Sequence, residues 1–400
     1  MRAVILYNTS WYVYLLRRSL IAHLQERGFQ VSVVAPTDGY TERVRKLGVD
    51  FVPITMNQTG KSPLQELESL SHVYAALRTI KPDVVLSFTV KCNLYAGLCR
   101  SRMMYRYIPN ISGTGDLFDG SSIVDAVARR LYKTALRRAH TIFFQNRDDQ
   151  CSFLEQRLAR PDQAKLLPGS GVDLDTFRPL TKSQRPWRTF LIFGRILPKK
   201  GFGAYLDAAS ALKEQYGDSV QFWILGSPDP ERADSRELFE RILRAHTLGT
   251  IRYINQTDNV LPHIQEADVI VLPSTYNEGI PRSLLEALAC GKPLITTDWK
   301  GCRETVEHGS NGLLVTPHST DSLVRALQQF IECSEETLIE FGARSRALAE
   351  ERFDERLVID AYVRALVPEQ GKGDLYTARK RRNNEGIREL RSCGTHGATR

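Results

Sequence analysis

Short apolar runs alternate with amphipathic stretches through the first 170 residues of the chain. The apolar runs have the length of strands and lie near 3–7, 30–35, 51–54, 83–88, 107–111, 141–145 and 164–168. The stretches between them repeat apolar residues at helical spacing and lie near 11–27, 63–80, 92–102, 121–139 and 147–158. Continuous apolar runs are typical of strands buried on both faces. Their alternation with helices predicts βαβ units around a parallel sheet.

The alternation restarts after a segment rich in proline and glycine. That segment runs from Pro168 to Pro186 and has no periodicity, which predicts a linker. Strands are predicted beyond it near 189–194, 220–225, 250–254, 269–272 and 293–296. Helices are predicted near 202–215, 231–246, 281–290 and 319–333. The fold class is therefore predicted as α/β, with two doubly wound, Rossmann-like domains.

These patterns divide the chain into five parts. Two late helical patterns, near 335–351 and 354–366, follow the second alternation, and a basic tail of low apolar content begins at Gly371. Such a composition predicts disorder. The predicted parts are a first domain at 1–170, a linker at 171–188, a second domain at 189–352, a helix returning to the first domain at 353–370 and a disordered tail at 371–400.

Length and composition agree with a two-domain globular protein. The 400 residues exceed the roughly 250–300 at which single hydrophobic cores stop growing. Hydrophobic residues make up 42% of the chain and charged residues 25%, which excludes a disordered, collagenous or coiled-coil protein. The apolar runs are far shorter than the roughly 18 residues of a membrane-spanning helix, so no such helix is predicted. The apolar start is interrupted at Asn8, which favours a first strand over a signal peptide.

Charge is distributed unevenly along the chain. Residues 1–180 hold 24 Lys and Arg against 16 Asp and Glu, residues 181–370 hold 22 against 27, and residues 371–400 hold 8 against 3. A basic first half suggests an anionic partner for that domain. The seven cysteines are odd in number and widely spaced, which favours a reducing, cytoplasmic compartment and gives no zinc motif.

A nicotinamide dinucleotide domain is disfavoured by the turns that follow the strands. Such a domain carries G-x-G-x-x-G directly after its first strand. Here that turn begins Asn8-Thr9 and contains no glycine, and the turn after 220–225 contains Gly226 alone.

Two other strand–turn–helix segments carry candidate chemistry. The first runs from Gly194 to Gly201 and presents Arg195 and Lys200 on a glycine-bounded loop that opens a helix. Arginine offers phosphate a planar fork, lysine offers a point charge, and a helix start adds partial positive charge. The loop could therefore clamp a diphosphate, although a solvated basic loop would have the same sequence.

The second segment places two carboxylates around a helix start. Pro281 suits the first position of the helix predicted at 281–290. Glu278 precedes it, and Glu286 follows at about 7.5 Å along the helix axis. A phosphate bound at the helix start would have one carboxylate on each side to accept sugar hydroxyls. The alternative is an ordinary amphipathic helix whose acidic residues face solvent.

Together these segments resemble the family 4 glycosyltransferases, the retaining group with the GT-B fold. The matching residues are Gly194-Arg195 with Lys200-Gly201, Glu278-Gly279-x-Pro281 with Glu286, Ala289-x-Gly291-x-Pro293, Asn311-Gly312 and the linker Pro168-Gly169 through Phe177-x-Pro179. The resemblance covers roughly 1–366, and it is stronger in the second half. It implies two domains that face each other across a cleft.

The resemblance implies a role for each matched residue. Arg195 and Lys200 would hold the donor diphosphate in place of a metal ion, and Glu278 would contact the donor sugar; these three are the predicted catalytic residues. No cofactor and no metal are then expected, although Asp173-Leu174-Asp175 matches the D-x-D of metal-dependent transferases. The remaining predicted donor-binding residues are Gly194, Gly226, Asn255, Gly279, Ile280, Pro281 and Glu286.

The basic first half would be the acceptor domain. Loops in relatives that build glycans on polyprenyl diphosphate look like three loops of this chain, from which the acceptor candidates are taken. They are Asn8, Thr9, Lys91, Asn93, Thr114 and Gly115. The helix predicted at 121–139 has apolar residues at 123, 124, 127, 131 and 135 and a basic remainder, which suits an anionic membrane surface or a solvated cationic face. No nucleic-acid recognition module is present in the sequence.

The resemblance implies a retaining transfer of a sugar, with an N-acetylhexosamine on UDP as the favoured donor, to a polyprenyl-diphosphate-linked saccharide in cell-surface polysaccharide or O-antigen synthesis. Such an enzyme would act in the cytoplasm, at the inner face of the membrane. Two alternatives stay open: a nucleotide-sugar epimerase of the same fold, and a non-catalytic nucleotide-sugar-binding paralogue.

Overall fold

The computed structural model describes residues 1–56, 62–115, 123–180 and 185–366, with the backbone alone at 123–125 and 128. The predicted tail at 371–400, the end of the helix predicted at 353–370 and the first two residues of the helix predicted at 121–139 lie outside the described residues. The chain forms two compact units. The first unit comprises Met1–Leu167 and the chain from Val358, and the second comprises Pro168–Leu357.

In the described residues, the first unit contains a parallel sheet of seven strands in the order β3-β2-β1-β4-β5-β6-β7. Its central strands are buried on both faces, as their continuous apolar sequence predicts; all five residues of β4 are buried. The strands are β1 Arg2–Leu6, β2 Gln30–Ala35, β3 Asp50–Pro53, β4 Val84–Phe88, β5 Arg106–Ile111, β6 Ile142–Phe144 and β7 Ala164–Leu166.

Helices connect these strands and cover the sheet. They are α1 Ser10–Glu26, α2 Thr41–Arg45, α3 Pro63–Ile80, α4 Val90–Cys99, α5 Ile123–Leu136 and α6 Arg147–Glu155. The last described helix, α13 Glu355–Leu366, packs Tyr362 into the core of the first unit, where its hydroxyl accepts a hydrogen bond from Asn110.

The second unit contains a six-stranded parallel sheet in the order β10-β9-β8-β11-β12-β13 among its described residues. The strands are β8 Arg188–Phe193, β9 Val220–Gly226, β10 Arg252–Asn255, β11 Val269–Leu272, β12 Leu294–Thr297 and β13 Gly312–Val315. The helices are α7 Phe202–Tyr216, α8 Ala233–Thr247, α9 Leu261–Glu266, α10 Arg282–Ala289, α11 Thr320–Glu332 and α12 Glu335–Leu348.

Three short elements were not predicted from the sequence. They are α2, α9 and the strand β13, each of which has four to six residues. Elements of this length carry too few repeats for a helical or alternating pattern to be recognised. The late pattern near 335–351 also differs from one regular helix, because α12 ends at Leu348 and continues as a π-helical turn at Ala349–Phe353.

Both sheets reverse their direction of winding at one point. In the first unit β1 lies between β2 and β4, and in the second β8 lies between β9 and β11. Ligands of open α/β sheets bind at such switch points, beside the carboxyl ends of the strands. The loops after Phe193 and Leu272 therefore locate the expected site of the second unit, and those after Leu6 and Phe88 locate that of the first.

No helix in the described part of the chain combines the length and apolar character that crossing a membrane requires.

Candidate active site

The loops after β8 and β9 meet in close backbone contact. Gly194 and Gly226 have φ values of 137° and 152°, which residues with a side chain rarely adopt. A Cβ atom at Gly226 would collide with the carbonyl oxygen of Gly194. Glycine is therefore required there by geometry, and the two strand ends can lie side by side.

The loop after β8 is also joined to the loop after β11. A short 3-10 turn at Pro198–Lys200 leads into α7, and Gly201 adopts a φ of 81° where a Cβ atom would strike the backbone of Pro273. The amide of Thr275 donates to the carbonyl of Lys199 at 2.8 Å. These contacts place the basic loop and the acidic turn of the sequence on opposite sides of the switch point.

Lys200 and Glu278 form an ion pair across this switch point. The ammonium Nζ lies 3.1 Å from Oε2 of Glu278, and the two side chains are 13% and 17% exposed. Ser274, at the end of β11, approaches the other carboxylate oxygen at 3.4 Å. The structure thus brings together two residues separated by 78 positions, both predicted as catalytic.

The loop after β12 packs against the turn that carries Glu278. Gly301 has a φ of 76°, and a Cβ atom there would collide with the carbonyl oxygen of Gly279. Cys302 beside it is fully buried, and burial, with a further contribution from the charge of Glu278, raises the pKa of its thiol to about 12. This thiol is therefore inert as a nucleophile near neutral pH.

Helix α10 begins one residue later than predicted. Pro281 occupies the N-cap position with extended ψ of 124°, and Ile280 and Gly279 precede it in the buried turn. The first helical turn leaves amide groups without partners inside the helix. These amides follow directly on the Glu278 turn, so a carboxylate and a partial positive charge lie next to each other.

Glu286 lies one turn farther along α10 and is held by Arg282. The guanidinium Nε lies 2.8 Å from Oε1 of Glu286, and the carboxylate is 13% exposed. Burial raises the pKa of Glu286, and the charge and hydrogen bond of Arg282 oppose that rise. Arg282 also donates to the carbonyl of Gly171 at 2.6 Å, so the linker segment helps to orient the pair.

Two predicted donor-site residues lie at the exposed edge of this region. Arg195 is exposed on the loop after β8, and Asn255 is exposed at the end of β10. The side-chain oxygen of Asn255 accepts the amide of Gln256 at 2.8 Å, and the hydroxyl of Tyr253 donates to the carbonyl of Gly226 at 2.9 Å. Asn255 therefore shapes its own turn beside Gly226.

In the first unit, the predicted acceptor residues do not form one uniform surface. Thr9 is buried and caps α1 by accepting the amide of Tyr12, while Asn8 before it is partly exposed. Lys91, in the first turn of α4, pairs with Glu66 at 2.6 Å.

Asn93, predicted to line the acceptor pocket, lies in the core of the first unit. Its side chain is 1% exposed, accepts the hydroxyl of Ser87 at 2.7 Å and donates to the carbonyl of Asn110 at 2.8 Å. These bonds use the amide inside the core, so Asn93 links β4 and β5. Thr114 is also buried at 6% exposed, and Gly115 follows it with a φ of 56°.

The D-x-D sequence of the linker forms a turn. The carboxylate of Asp173 accepts the amides of Asp175 and Thr176, both at 3.0 Å. Among the described residues, no group of three or more His, Cys, Asp and Glu side chains is arranged to hold a metal ion.

Two family descriptions match this chain. Residues 176–347 match the group 1 glycosyl transferases, and residues 3–146 match the glycosyl transferase 4-like family. The chain belongs to the glycosyltransferases. All the predicted donor-site residues fall within the first match, and all the predicted acceptor residues fall within the second.

Relatives and solved structures agree with this family. The glycosyltransferase is 24% identical over 370 residues to the N,N'-diacetylbacillosaminyl-diphospho-undecaprenol alpha-1,3-N-acetylgalactosaminyltransferase of Campylobacter jejuni, covering 88% of this chain and 94% of the relative. It is 26% identical over 198 residues to the lipopolysaccharide core biosynthesis glycosyltransferase LpsE of Rhizobium meliloti, covering 50% and 54%.

The fold is shared with Anabaena HepE, whose crystal structure contains UDP and glucose. The TM-score is 0.76 at 20% identity, over 92% of this chain and 99% of that one. Sucrose-phosphate synthase from Thermosynechococcus elongatus gives 0.74 at 17% identity, over 91% and 98%. The predicted GT-B fold, with one doubly wound domain in each half, is confirmed.

Sequence reasoning missed three residues that support the candidate site. Ser274 and Gly301 contact the Glu278 turn, and Arg282 holds Glu286. The spacing of Arg282 and Glu286 is a signal that could have found their pair, since residues four apart face each other on a helix. Gly301 had no such signal, because its role depends on a contact with a distant turn.

Proposed function

We propose that this glycosyltransferase moves a sugar, with retention of configuration, from a UDP-linked donor to a lipid-linked saccharide during cell-surface polysaccharide synthesis. The observation that carries the proposal is the Lys200–Glu278 pair at the switch point of the second sheet, directly before α10. The favoured donor sugar is an N-acetylhexosamine.

The residues around the Lys200–Glu278 pair and the start of α10 suit the departure of a nucleoside diphosphate. Negative charge grows on the diphosphate as the sugar leaves, and fixed cations and helix amides stabilise that charge. Lys200 and Arg195 would supply the cations, and the first turn of α10 would supply amides. Glu278 would accept hydroxyls of the donor sugar, and Glu286 would accept those of the ribose. A metal ion is not needed for this stabilisation, which is the basis for proposing metal-independent transfer.

Retention follows most simply from attack on the face that the diphosphate leaves. The departing phosphate accepts the proton of the acceptor hydroxyl, so no enzymic nucleophile is required. The buried Cys302 beside Glu278 has a raised pKa, which supports the absence of a thiolate nucleophile from this step.

The proposed donor and acceptor classes draw on named relatives. The HepE structure contains UDP, and the Campylobacter relative is named for a diphospho-undecaprenol acceptor and an N-acetylgalactosaminyl group. That relative matches over nearly its whole length, so the acceptor class is carried over as part of the proposal.

An anionic membrane surface is the proposed site of action, at the cytoplasmic face. A cavity of about 600 Å³ lies at the amino ends of β5, β6 and β7 in the first unit. Met104 on its rim is 85% exposed. Five arginines line it: Arg100, Arg102, Arg137, Arg138 and Arg160.

Positive charge in this cavity exceeds the negative charge beside it. Arg160 pairs with Asp162 at 3.1 Å, and both side chains are about half exposed. His140 also lines the cavity, where burial and the charges of Arg106 and Arg100 lower its pKa, so the imidazole is neutral at pH 7. Anionic headgroups would complement such a surface.

Helix α5 leads into the cavity and differs from its predicted orientation. Val127 and Leu131, predicted to share the apolar stripe, are 53% and 42% exposed, and Tyr132 and Leu136 face the core instead. Exposed apolar residues among basic ones are typical of helices that lie on membranes. Replacing Arg137 and Arg138 by glutamate is expected to abolish binding to vesicles containing anionic lipid, measured by co-sedimentation. Unchanged binding would contradict the proposed surface.

The function is tested by incubating the purified protein with radiolabelled UDP-sugars and a membrane lipid extract. Label that enters the organic phase supports transfer. Interconverted free nucleotide-sugar would identify an epimerase, and tight UDP binding without turnover would identify a non-catalytic paralogue. Loss of turnover on adding a chelator would contradict metal-independent transfer.

A further inference from the structure

Four aromatic side chains gather at one edge of the first unit. Trp11, Tyr12 and Tyr14 lie in the first two turns of α1, and Tyr40 lies directly before α2. All four are partly exposed. None of them belongs to the acceptor residues predicted from the sequence, and their rings form what we call the aromatic platform.

The platform is continuous from the core to the surface. The rings of Trp11 and Tyr12 lie 4.8 Å apart, those of Trp11 and Tyr40 lie 6.4 Å apart, and those of Tyr14 and Tyr40 lie 5.9 Å apart. Tyr12 continues inward to the buried Tyr7 at 5.8 Å. Rings at these separations attract one another, so the platform is a stiff surface.

A single carboxylate anchors both ends of the platform. Asp38 accepts the amide of Trp11 at 3.2 Å, that of Tyr40 at 2.8 Å and that of Ser10 at 2.8 Å. Burial acts to raise the pKa of Asp38, but its hydrogen bonds from Ser10, Tyr40 and Trp11 keep that pKa below its ordinary value. The carboxylate therefore stays ionised at neutral pH, and it joins the start of α1 to the loop after β2.

These loops lie where ligands of such a sheet bind. β1 and β2 are neighbouring parallel strands, and the platform follows their carboxyl ends, next to the switch point between β1 and β4. Asn8 and Thr9, two of the predicted acceptor residues, connect β1 to the platform. The platform therefore borders the region proposed to receive the acceptor.

Partly exposed tryptophan and tyrosine rings suit a saccharide. A pyranose presents C–H groups on its faces and hydroxyls around its rim, so it packs on a ring and hydrogen-bonds to the polar end of tryptophan or tyrosine. Such side chains supply rigid contact area at low entropic cost. Arg43 lies over the ring of Tyr40 at 4.7 Å and adds a cation that can donate to hydroxyls.

We propose that the aromatic platform binds a sugar ring of the acceptor saccharide, with Trp11 and Tyr40 as the principal contacts. The inference rests on the proposed function, because it assigns the sugar-recognising part of the acceptor site. The proposal predicts that the first unit prefers a glycosylated lipid diphosphate to the bare one, because contacts between cations and phosphate alone would not give that preference.

The test compares two soluble probes: geranyl diphosphate, and the same molecule carrying one N-acetylhexosamine on its terminal phosphate. Equilibrium dialysis measures the affinity of each for the wild type and for the variants Trp11→Ala, Tyr40→Ala and Trp11→Phe. The control is Leu64→Ala, which removes an 80% exposed apolar side chain elsewhere in the same unit.

The wild type is expected to prefer the glycosylated probe. Trp11→Ala and Tyr40→Ala should each weaken binding of that probe at least ~10-fold, a common loss when an aromatic anchor is removed, and leave the bare probe unaffected. Trp11→Phe, which keeps a ring, should remain within about threefold of wild type. Equal binding of the two probes by the wild type, or wild-type affinities in both alanine variants, would overturn the proposal.

Binding and turnover together separate this proposal from the proposed function. If the wild type glycosylates lipid extract and the acceptor KM of Trp11→Ala is unchanged, the proposed role of the platform is wrong and the proposed function stands. If no donor supports turnover while the sugar-dependent binding is lost in Trp11→Ala, the function fails and the platform stands. Circular dichroism of each variant verifies that the fold is intact, and Tyr40→Ala gives a second measurement with Trp11 in place.

Discussion

The Lys200–Glu278 pair allows stability and catalysis to be separated in one set of variants. Lys200→Met, Glu278→Gln and the double variant form a mutant cycle on a pair whose atoms lie 3.1 Å apart and whose side chains are 13% and 17% exposed. We expect the double variant to lose less stability than the sum of the two single losses, while turnover stays low in all three variants.

The expected loss of stability follows from the distance between the two charges and from the burial of their side chains. At an effective dielectric constant of about 20, two charges at this separation attract by about 5 kcal/mol, and desolvation of both groups offsets most of it. Removing one partner of a fully buried pair costs about 3–5 kcal/mol. Because Lys200 and Glu278 retain some exposure, we expect a loss of about 2–3 kcal/mol in each single variant and a coupling free energy of about 1–2 kcal/mol.

Turnover should follow a different pattern. Removing one group that stabilises transition-state charge lowers the rate about 100-fold to 1000-fold. Lys200→Met and the double variant are both expected to show at least this loss, because neutralising Glu278 as well does not replace the cation proposed to hold the diphosphate. Urea unfolding gives the stability, and transfer of labelled sugar to lipid extract gives the rate.

A matched control is available in the same unit. Arg241 and Asp207 form an ion pair at 2.6 Å with side chains 47% and 54% exposed. The same cycle there should give a coupling free energy below about 1 kcal/mol and leave turnover unchanged. Equal coupling in the two cycles would contradict the argument from burial, and near-normal turnover in Lys200→Met would remove Lys200 from the site.

Three further outcomes are expected. Gly301→Ala should abolish turnover and lower the unfolding free energy, measured by urea unfolding, by more than about 3 kcal/mol. The control is Gly309→Ala, at a glycine with a similar φ and no atom near its Cβ position, which should lower the unfolding free energy by about 1 kcal/mol. Burial raises the pKa of Glu286 in the folded state, so its contribution to stability is complete below its ordinary pKa of 4.5 and is lost as pH rises through the folded value. Glu286→Gln should therefore flatten the decline in Tm as the pH rises above about 4.5, and an unchanged pH profile would contradict the burial effect. The protein should dissociate from anionic vesicles at about 0.5 M salt, because screening then limits electrostatic attraction to a few Å. Co-sedimentation that does not change with salt would contradict electrostatic binding.

The parts of the site that were predicted from sequence follow from chain order and strand direction. Because β8 and β11 are adjacent and parallel, the loops after them must emerge side by side at one edge. A basic loop after one strand and an acidic turn after the other therefore meet, as Lys200 and Glu278 do. The order of the strands is known only from the structure, and the sequence analysis joined the two segments through the family resemblance.

The acceptor side could not be predicted in the same way. Asn93 is of a residue type common in surface loops, yet three neighbours from other elements satisfy its amide inside the core. Asp38 has no sequence feature that distinguishes it from a solvent-exposed turn carboxylate, yet it joins the loops of Trp11 and Tyr40. Both roles depend on which polar groups of other elements lie within hydrogen-bonding distance, and tertiary packing decides that.

The ion pairs of the second unit also limit how a diphosphate can bind there. Both predicted carboxylates are already matched by cations, Glu278 by Lys200 and Glu286 by Arg282. An ammonium has three N–H groups, and the bond to Glu278 uses one, so Lys200 can hold the carboxylate and donate to phosphate oxygens together. The guanidinium of Arg282 donates both to Glu286 and to the carbonyl of Gly171, which restricts its orientation. Lys200 is therefore suited to bridging Glu278 and the proposed diphosphate, and Arg282 is suited to holding Glu286, the proposed ribose-binding carboxylate, in one orientation.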